Sequence, residues 1–342
     1  MKNKVQAGAQ ADGRAAAQTD SMRAAVREVY GPADVIHESR RAWPRIKADE
    51  VLIRVGAAGL DRGTWHMMTG KPYAMRAATG LRRPRNQVLG LDVAGTVAAV
   101  GADVTLFREG DEVFGFGQGS FAEYTAAKER KLAPMPAGLS FAQAAVVPVS
   151  GATALQALRD AGRIQARQNV LITGAGGGVG SYAVQLARAF GAGVTGVCST
   201  AKMELVRSLG ADHVVDYTRE DFADGGIKYD LILDFAGSPS LSRLRRALAP
   251  TGTAVIGGSE QGGNFTGLGR QLRALAVSPF VPQRFLMLIA AERGPDLEQL
   301  SGFIADGRLT PCLERSYPLA QVEQAMRHLE SGSVRGKVAI TL

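Results

Sequence analysis

Gly174-Ala175-Gly176-Gly177-Gly178-Val179-Gly180 lies between an apolar run, Val170-Leu171-Ile172-Thr173, and a helical stretch from Ser181 to Phe190. Small residues at this spacing let bare backbone amides close round a phosphate. The turn needs residues that tolerate unusual backbone angles, and the following helix adds unpaired N–H groups and the positive end of its dipole. Ala175, Gly177 and Gly180 occupy the three small positions of the dinucleotide fingerprint, with Gly176, Gly178 and Val179 among them. Glycine runs also serve ordinary turns. Placement after an apolar strand and before a helix, inside a strand-helix-strand unit, is what marks this run as a dinucleotide site.

The next strand ends in Val197-Cys198-Ser199-Thr200-Ala201-Lys202, with no carboxylate at its tip. An acid there would bond the ribose 2′-hydroxyl of NAD and repel a 2′-phosphate. Ser199 and Thr200 can donate hydrogen bonds, and Lys202 brings a charge that suits the phosphate, unless it is simply an exposed residue of the following helix. Tyr217, at the end of the third strand, can add a phenol to the same pocket. These residues favour NADP(H) over NAD.

Such a site needs a sheet beneath it. Strands at Val194 to Val197, His213 to Val215, Leu231 to Asp234 and Ala254 to Gly257 alternate with helical patterns, notably Ala201 to Leu209 and Ser240 to Leu248. That alternation predicts an α/β fold with a doubly wound parallel sheet. Before it, from Met22, short apolar runs bounded by Gly, Pro and Asp predict a compact β-rich domain without long helices. Ser140 and Gln143 have the spacing of a helix-capping box at the junction. After Phe285 come an apolar strand, helices at Asp296 to Asp306 and Leu319 to Glu330, and a last strand at Lys337 to Leu342.

The 342 residues suit two domains, and residues 1–21 read as a disordered leader. No apolar run approaches a membrane span, so no membrane role and a cytoplasmic location are expected. Two cysteines, Cys198 and Cys312, cannot form a four-thiolate zinc site. The formal charge of +8 is spread along the chain, and its densest cluster (Arg82, Arg83, Arg85) lacks interleaved aromatics, so nucleic acid is not expected as a partner.

With Gly90-Leu91-Asp92-Val93-Ala94-Gly95, Gly110-Asp111-Glu112-Val113, Ala122-Glu123-Tyr124, the glycine loop, Leu209-Gly210-Ala211-Asp212-His213-Val214 and Arg335-Gly336-Lys337-Val338 in this order, the chain resembles the medium-chain dehydrogenase/reductase superfamily. It is most similar to the zinc-free quinone-oxidoreductase branch. The resemblance implies a GroES-like catalytic domain over 22–148 and 287–342 and a Rossmann NADP-binding domain over 149–286. Where zinc members carry a Cys and a Gly-His-Glu motif, this chain has Asp61 and Leu91-Asp92; the four histidines share no ligand spacing, so no metal is expected.

The zinc-free pattern Asn-x-x-Asp reads here as Asp61-Arg62-Gly63-Thr64. Asp61 either bonds cofactor or substrate, or pairs with Arg62. His66 and Tyr73, read as lying on the loop that follows, are the nearby side chains suited to proton donation, and Trp65 suits a pocket wall. By resemblance Ala236, Gly257, Leu288 and Ala290 line the nicotinamide half, the last two on one strand, and Arg335 is the late basic residue at the cofactor. The Tyr73 to Asn86 loop, rich in Arg and Met, is expected to cover that pocket, whose shape depends on the Trp65 to Asn86 loop and the Phe265 to Arg284 segment.

The implied activity is zinc-independent hydride transfer from NADPH to a quinone or an α,β-unsaturated carbonyl, acceptors electrophilic enough to need no Lewis acid. Enoyl-thioester reduction and alcohol dehydrogenation stay open. So does an NADPH-binding protein associated with RNA or membrane and without turnover. The resemblance also implies a homodimer.

Overall fold

The computed structural model describes residues 21–257, 269–278 and 281–342. Residues 1–20, and parts of the Phe265 to Arg284 segment, lie outside the described residues. Ser21, expected in the leader, instead opens strand β1 (Ser21–Val26), which pairs antiparallel with β2 (His37–Ala42).

A seven-stranded sheet is built from β3 (Glu50–Leu60), β4 (Asp92–Val100), β5 (Glu112–Phe116), β6 (Tyr124–Lys128) and β7 (Leu132–Pro134), with β14 (Leu313–Pro318) and β15 (Lys337–Thr341). Its order is β14-β15-β3-β4-β5-β7, with β6 also on β3. The late part of the chain thus closes the early sheet. β14 has no strand pattern in sequence, since only Tyr317 of its six residues is buried; its parallel ladder with β15 holds it.

The second sheet is parallel: β8 (Asn169–Thr173), β9 (Gly193–Cys198), β10 (His213–Asp216), β11 (Tyr229–Asp234), β12 (Leu248–Ile256) and β13 (Arg284–Met287), in the order β10-β9-β8-β11-β12-β13. Val170, Leu171 and Ile172 are completely buried, as a strand covered on both faces must be. Chain order reverses between β8 and β11, which opens a ligand crevice beyond their C-terminal ends at Thr173 and Asp234.

The first half is less purely β than its composition suggests. Helix α1 (Arg62–Thr69) follows β3, with Asp61 as its N-cap and Gly70 left-handed at its end. Helix α2 (Arg76–Thr79) and a 3-10 turn at Tyr73–Met75 replace much of the expected loop. His66 is therefore helical, and Tyr73 opens the turn. The capping box is present: Ser140 Oγ accepts from Gln143 N at 3.3 Å and Ser140 N donates to Gln143 Oε1 at 3.0 Å, starting α3 (Phe141–Ala145).

Helices α4 (Pro148–Gln156) and α5 (Gly178–Ala189) join the two sheets through one core, in which Ala57, Ala94 and Phe114 pack with Leu155, Tyr182 and Ile172. The expected boundaries at 148/149 and 286/287 fall one residue inside α4 and one short of the end of β13. Helices α6 (Met203–Ser208), α7 (Leu241–Ala247) and α8 (Gly269–Val277) come between strands of the parallel sheet, and α9 (Gly294–Ala305) and α10 (Val322–Glu330) follow β13 and β14.

Candidate active site between the two sheets

The phosphate loop begins at Gly174, which takes φ +69 and leads β8 into its turn. Left-handed backbone falls to this glycine, one residue before the first fingerprint position. Ala175 is buried, and its N–H donates to Val197 O at 3.1 Å. A Cβ on Gly180 would stand 2.1 Å from Gly174 O, so strand and helix approach closer than any side chain allows. Gly177 has only Gly174 O at 3.3 Å, so its outer face is open. Gly177 caps α5 without a side-chain bond, and the helix begins at Gly178, three residues before Ser181. First-turn N–H groups of α5 therefore face an open glycine surface, the arrangement an oxyanion needs.

Two lysines flank this loop. The stem of Lys202 lies 2.9 Å from where a Cβ of Gly176 would be, and its Nζ donates to Gly332 O at 2.9 Å. Lys337 packs its Cδ 3.1 Å from the corresponding position on Gly178. Gly336 N donates to Gly176 O at 3.0 Å, pinning the approach to β15 onto the loop. Arg335 is exposed, and the buried cation packed against the phosphate loop is Lys337, two residues on. Sequence reasoning missed Lys337 because a lysine after glycine reads as exposed.

At the tip of β9, Ser199 precedes a 3-10 turn at Thr200–Lys202. An acid does stand here, contributed by the neighbouring strand. Asp216 is buried and accepts from Thr200 Oγ1, from Thr218 N at 3.0 Å and from Thr218 Oγ1 at 2.7 Å, with Arg219 Nε at 3.7 Å. Hydrogen bonds from Thr200 and Thr218 hold its carboxyl below the ordinary range. Thr200 thus gives its proton to Asp216 and offers a ligand lone pairs, a correction to its expected role as donor. Tyr217 is 58% exposed beside this network, and its N–H donates to Cys198 O at 3.1 Å.

At the crevice, Thr173 Oγ1 donates to Asp234 Oδ1 at 2.5 Å, and Gly237 N donates to the same oxygen at 3.1 Å. This clasp fixes the ends of β8 and β11 and brings Ala236 against Gly174. A Cβ on Gly257 would meet Phe235 at 3.0 Å and Leu288 at 3.2 Å, so these residues form one wall. Strand β13 stops at Met287. Leu288 still donates to Ile256 O at 3.0 Å, whereas Ala290 lies beyond the strand and exposed, a correction to its expected place.

On the other sheet, at the end of β3, Asp61 is buried with Oδ1 accepting from Thr64 N at 2.7 Å. Asp92 is completely buried; Oδ1 accepts from Val149 N at 2.8 Å, and Oδ2 lies 3.6 Å from Lys337 Nζ. Burial pushes the Asp92 carboxyl up to about 8, with Lys337 opposing and Asp61 adding to the shift. Asp61 Oδ2, Thr64 Oγ1, Asp92 Oδ2 and Lys337 Nζ have no hydrogen-bond partner among the described residues. Buried polar atoms left this way mark a place built for a polar ligand. Tyr182, also buried, donates to Val146 O at 3.0 Å, and burial with nearby Asp92 keeps its phenol well above its ordinary range.

His66 and Tyr73 are not drawn into this group. His66 Nδ1 lies 2.8 Å from Lys71 O, and Tyr73 is 42% exposed under Arg76. Trp65 bonds Glu330 Oε1 at 2.9 Å, tying α1 to α10.

Residues 47–137 match the family model for the alcohol dehydrogenase GroES-like domain, and residues 209–340 the model for zinc-binding dehydrogenases. The chain is 35% identical to a 2-methylene-furan-3-one reductase of Solanum lycopersicum over 91% of its own length and 76% of that protein's. The chain belongs to the medium-chain dehydrogenase/reductase superfamily. A chloroplastic NADPH-dependent alkenal/one oxidoreductase of Arabidopsis thaliana is also 35% identical, over 93% of this chain and 79% of that one. The quinone oxidoreductase of Coxiella burnetii superposes with a TM-score of 0.83 at 27% identity, covering 94% of this chain and 99% of that one.

Zinc is implied by one family model, yet the donor set here does not fit it. Leu91 has no donor atom, and Asp92 divides its oxygens between the Val149 N–H and the Lys337 ammonium. Among the described residues no three His, Cys, Asp or Glu side chains group as a metal site requires. A dinucleotide does fit: the uncapped amides of α5 and the open face of Gly177 meet at one place, with the stem of Lys337 packed against Gly178 and its ammonium directed to Asp92.

Proposed function

We propose that this superfamily member is an NADPH-dependent, zinc-independent reductase of quinones and α,β-unsaturated carbonyls. The observation that carries the reading is the glycine-built N-terminus of α5 with Lys337 beneath it and Lys202 above. Relatives 35% identical to this chain are named as an NADPH-dependent alkenal/one oxidoreductase and a 2-methylene-furan-3-one reductase, which supports the acceptor class. The nucleotide, when bound, supplies the hydride.

The chain's own residues bind, orient and exclude water. Backbone amides over Gly176 to Gly180 take the pyrophosphate, with the Lys337 ammonium neutralising it from below. Ser199, Thr200, Lys202 and Tyr217 take the adenosine end, Lys202 supplying the charge for a 2′-phosphate. Ala236, Gly257 and Leu288 form the apolar wall that aligns the nicotinamide. Asp61 Oδ2 offers an acceptor to the cofactor or substrate, and a proton from His66 or Tyr73 would come from outside this buried group. In this reading 149–286 is the nucleotide lobe, and 22–148 with 287–342 the lobe that carries Asp61 and Asp92. Among the described strands β13 pairs only with β12, and its free edge supports a homodimer through it.

The test is to titrate NADPH and NADH into the protein, then follow nucleotide oxidation with 1,4-benzoquinone, 9,10-phenanthrenequinone and a simple enone, with and without chelator. The expected result is turnover that prefers NADPH and survives the chelator. Absence of nucleotide binding overturns the reading. Turnover abolished by chelator overturns its zinc-independent part.

A further inference from the structure

Helix α10 ends at Glu330 and β15 begins at Lys337, so residues 331–336 are the turn that joins them. This turn reaches the parallel-sheet side of the molecule twice. Gly332 O accepts from Lys202 Nζ at 2.9 Å, and Gly336 N donates to Gly176 O at 3.0 Å. One short turn thus touches both the lysine proposed for the 2′-phosphate and the loop proposed for the pyrophosphate.

The turn has a fixed shape. Gly332 and Gly336 take φ +71 and +78, and Val334 between them is buried. Ser331 Oγ donates to His328 O at 2.7 Å and accepts from Ser333 N at 3.3 Å. A Cβ on Gly336 would stand 2.4 Å from Cys312 O, and Lys337 N donates to that oxygen at 2.8 Å.

Its middle is held by a side chain from β14. That strand pairs Leu313 with Lys337 and Arg315 with Val338, so Glu314 is an extra residue in the ladder, a bulge. A bulge re-aims the side chain it carries. Glu314 Oε2 accepts from Arg335 N at 3.0 Å and lies 3.7 Å from His328 Nε2. On the other side of the ring, His328 Nδ1 is 2.9 Å from the hydroxyl of buried Tyr317. Water would satisfy the Arg335 N–H as well as a carboxylate does, so what the bulge adds is position. Position matters most to Lys202, whose long flexible stem loses rotamer freedom when its ammonium meets an anion. A carbonyl that already holds the ammonium takes that loss in advance.

We propose that Glu314, with His328 behind it, is a positioning residue for nucleotide choice. It fixes the 331–336 turn so that Gly332 O holds the Lys202 ammonium where a 2′-phosphate arrives. This rests on the NADPH reading above. The bond from Gly336 to Gly176 serves NADPH and NADH alike, whereas the bond from Lys202 to Gly332 bears only on the nucleotide with the extra phosphate. Loosening the turn therefore shows as lost preference and not only as lost affinity.

The experiment titrates NADPH and NADH, by fluorescence, into the wild type, Glu314→Gln, Glu314→Leu, His328→Leu, Lys202→Ala and the double variant Lys202→Ala/Glu314→Leu. Glu314→Leu is expected to lower the preference for NADPH, read as the ratio of the two Kd values, about fivefold. Glu314→Gln, whose amide oxygen still accepts from Arg335 N, should keep most of it. In the Lys202→Ala background Glu314→Leu should change the ratio no further. His328→Leu leaves Glu314 in place and should lower the ratio by less, which gives a second reading if Glu314→Leu does not fold. Retained NADH binding shows that each variant is folded. Equal losses for both nucleotides overturn the proposal, as does a ratio that falls as far again without Lys202. So does tighter NADPH binding in both Glu314 variants, which marks the carboxylate as a nearby negative charge and nothing more. Wild-type protein that binds neither nucleotide, or both equally, sinks the NADPH reading itself.

Discussion

Lys337 and Asp92 face each other in the interior, 2% and 0% exposed, with Nζ 3.6 Å from Oδ2. The separation is an ion-pair distance and too long for a hydrogen bond. Removing two charges from water costs several kcal/mol each, and the rise of the buried Asp92 carboxyl to about 8 avoids part of that cost by keeping its proton. Here the ammonium has no hydrogen-bond partner at all among the described residues. The pair is incomplete on the side of the phosphate loop, where the Lys337 stem touches Gly178.

Lys337→Met is therefore expected to weaken NADPH binding by about tenfold or more, the scale of a lost charge-assisted hydrogen bond. Fluorescence titration measures it. A variant that binds as tightly as the wild type removes Lys337 from the phosphate site.

Asp92 sets a pH dependence of stability. Its folded pKa of about 8 lies above the unfolded value near 4, so the folded state holds the extra proton between them. Stability from this group is complete below about pH 4, falls as pH rises through that window, and levels off above about pH 8. Asp92→Asn should flatten this slope. Denaturant unfolding of both proteins at several pH values between 5 and 9 checks it, and parallel curves would contradict it.

Two glycines of one loop should behave differently. Gly180→Ala forces a Cβ to 2.1 Å from Gly174 O and is expected to cost about 1–3 kcal/mol of stability, with loss of nucleotide binding. Gly177→Ala meets only an oxygen at 3.3 Å and should keep its melting temperature while losing affinity, because the methyl group occupies the phosphate's approach. Thermal melts beside NADPH titrations separate the two effects.

Lys202 and Asp216 should pull cofactor preference in opposite directions. Lys202→Ala is expected to lower the NADPH/NADH ratio of kcat/KM about tenfold. Asp216→Asn should raise the ratio a few-fold by removing a negative charge near the 2′-phosphate. Steady-state kinetics with both nucleotides decides this; a shared direction would rule out the pocket as drawn.

What the sequence made legible followed burial. Val170-Leu171-Ile172 is apolar because both faces of β8 are covered, and the glycines after it are small because backbone meets backbone at Gly174 and Gly180. Helix α1 escaped because it buries only Thr64, Met68 and Thr69 of eight residues; its surviving signals were the Asp61 cap and Gly70. That Lys337 was not singled out has another cause. Residues 337–340 are all buried, so no alternation marks which side chain turns inward, and only packing of β15 against α5 decides it. Asp216 was hidden by topology, since it belongs to the third strand in sequence and serves the tip of the second.

Strand β15 sits between β14 and β3, and translation delivers it after every strand of the parallel sheet. During synthesis the nucleotide lobe has all its strands while the earlier lobe still shows an unpaired ladder along Ala57 to Leu60. An open edge of that kind invites pairing with another nascent chain until the tail arrives. Damage confined to the last strand would reach further than its length suggests, removing Lys337 from beneath the glycine loop and reopening that edge in one stroke.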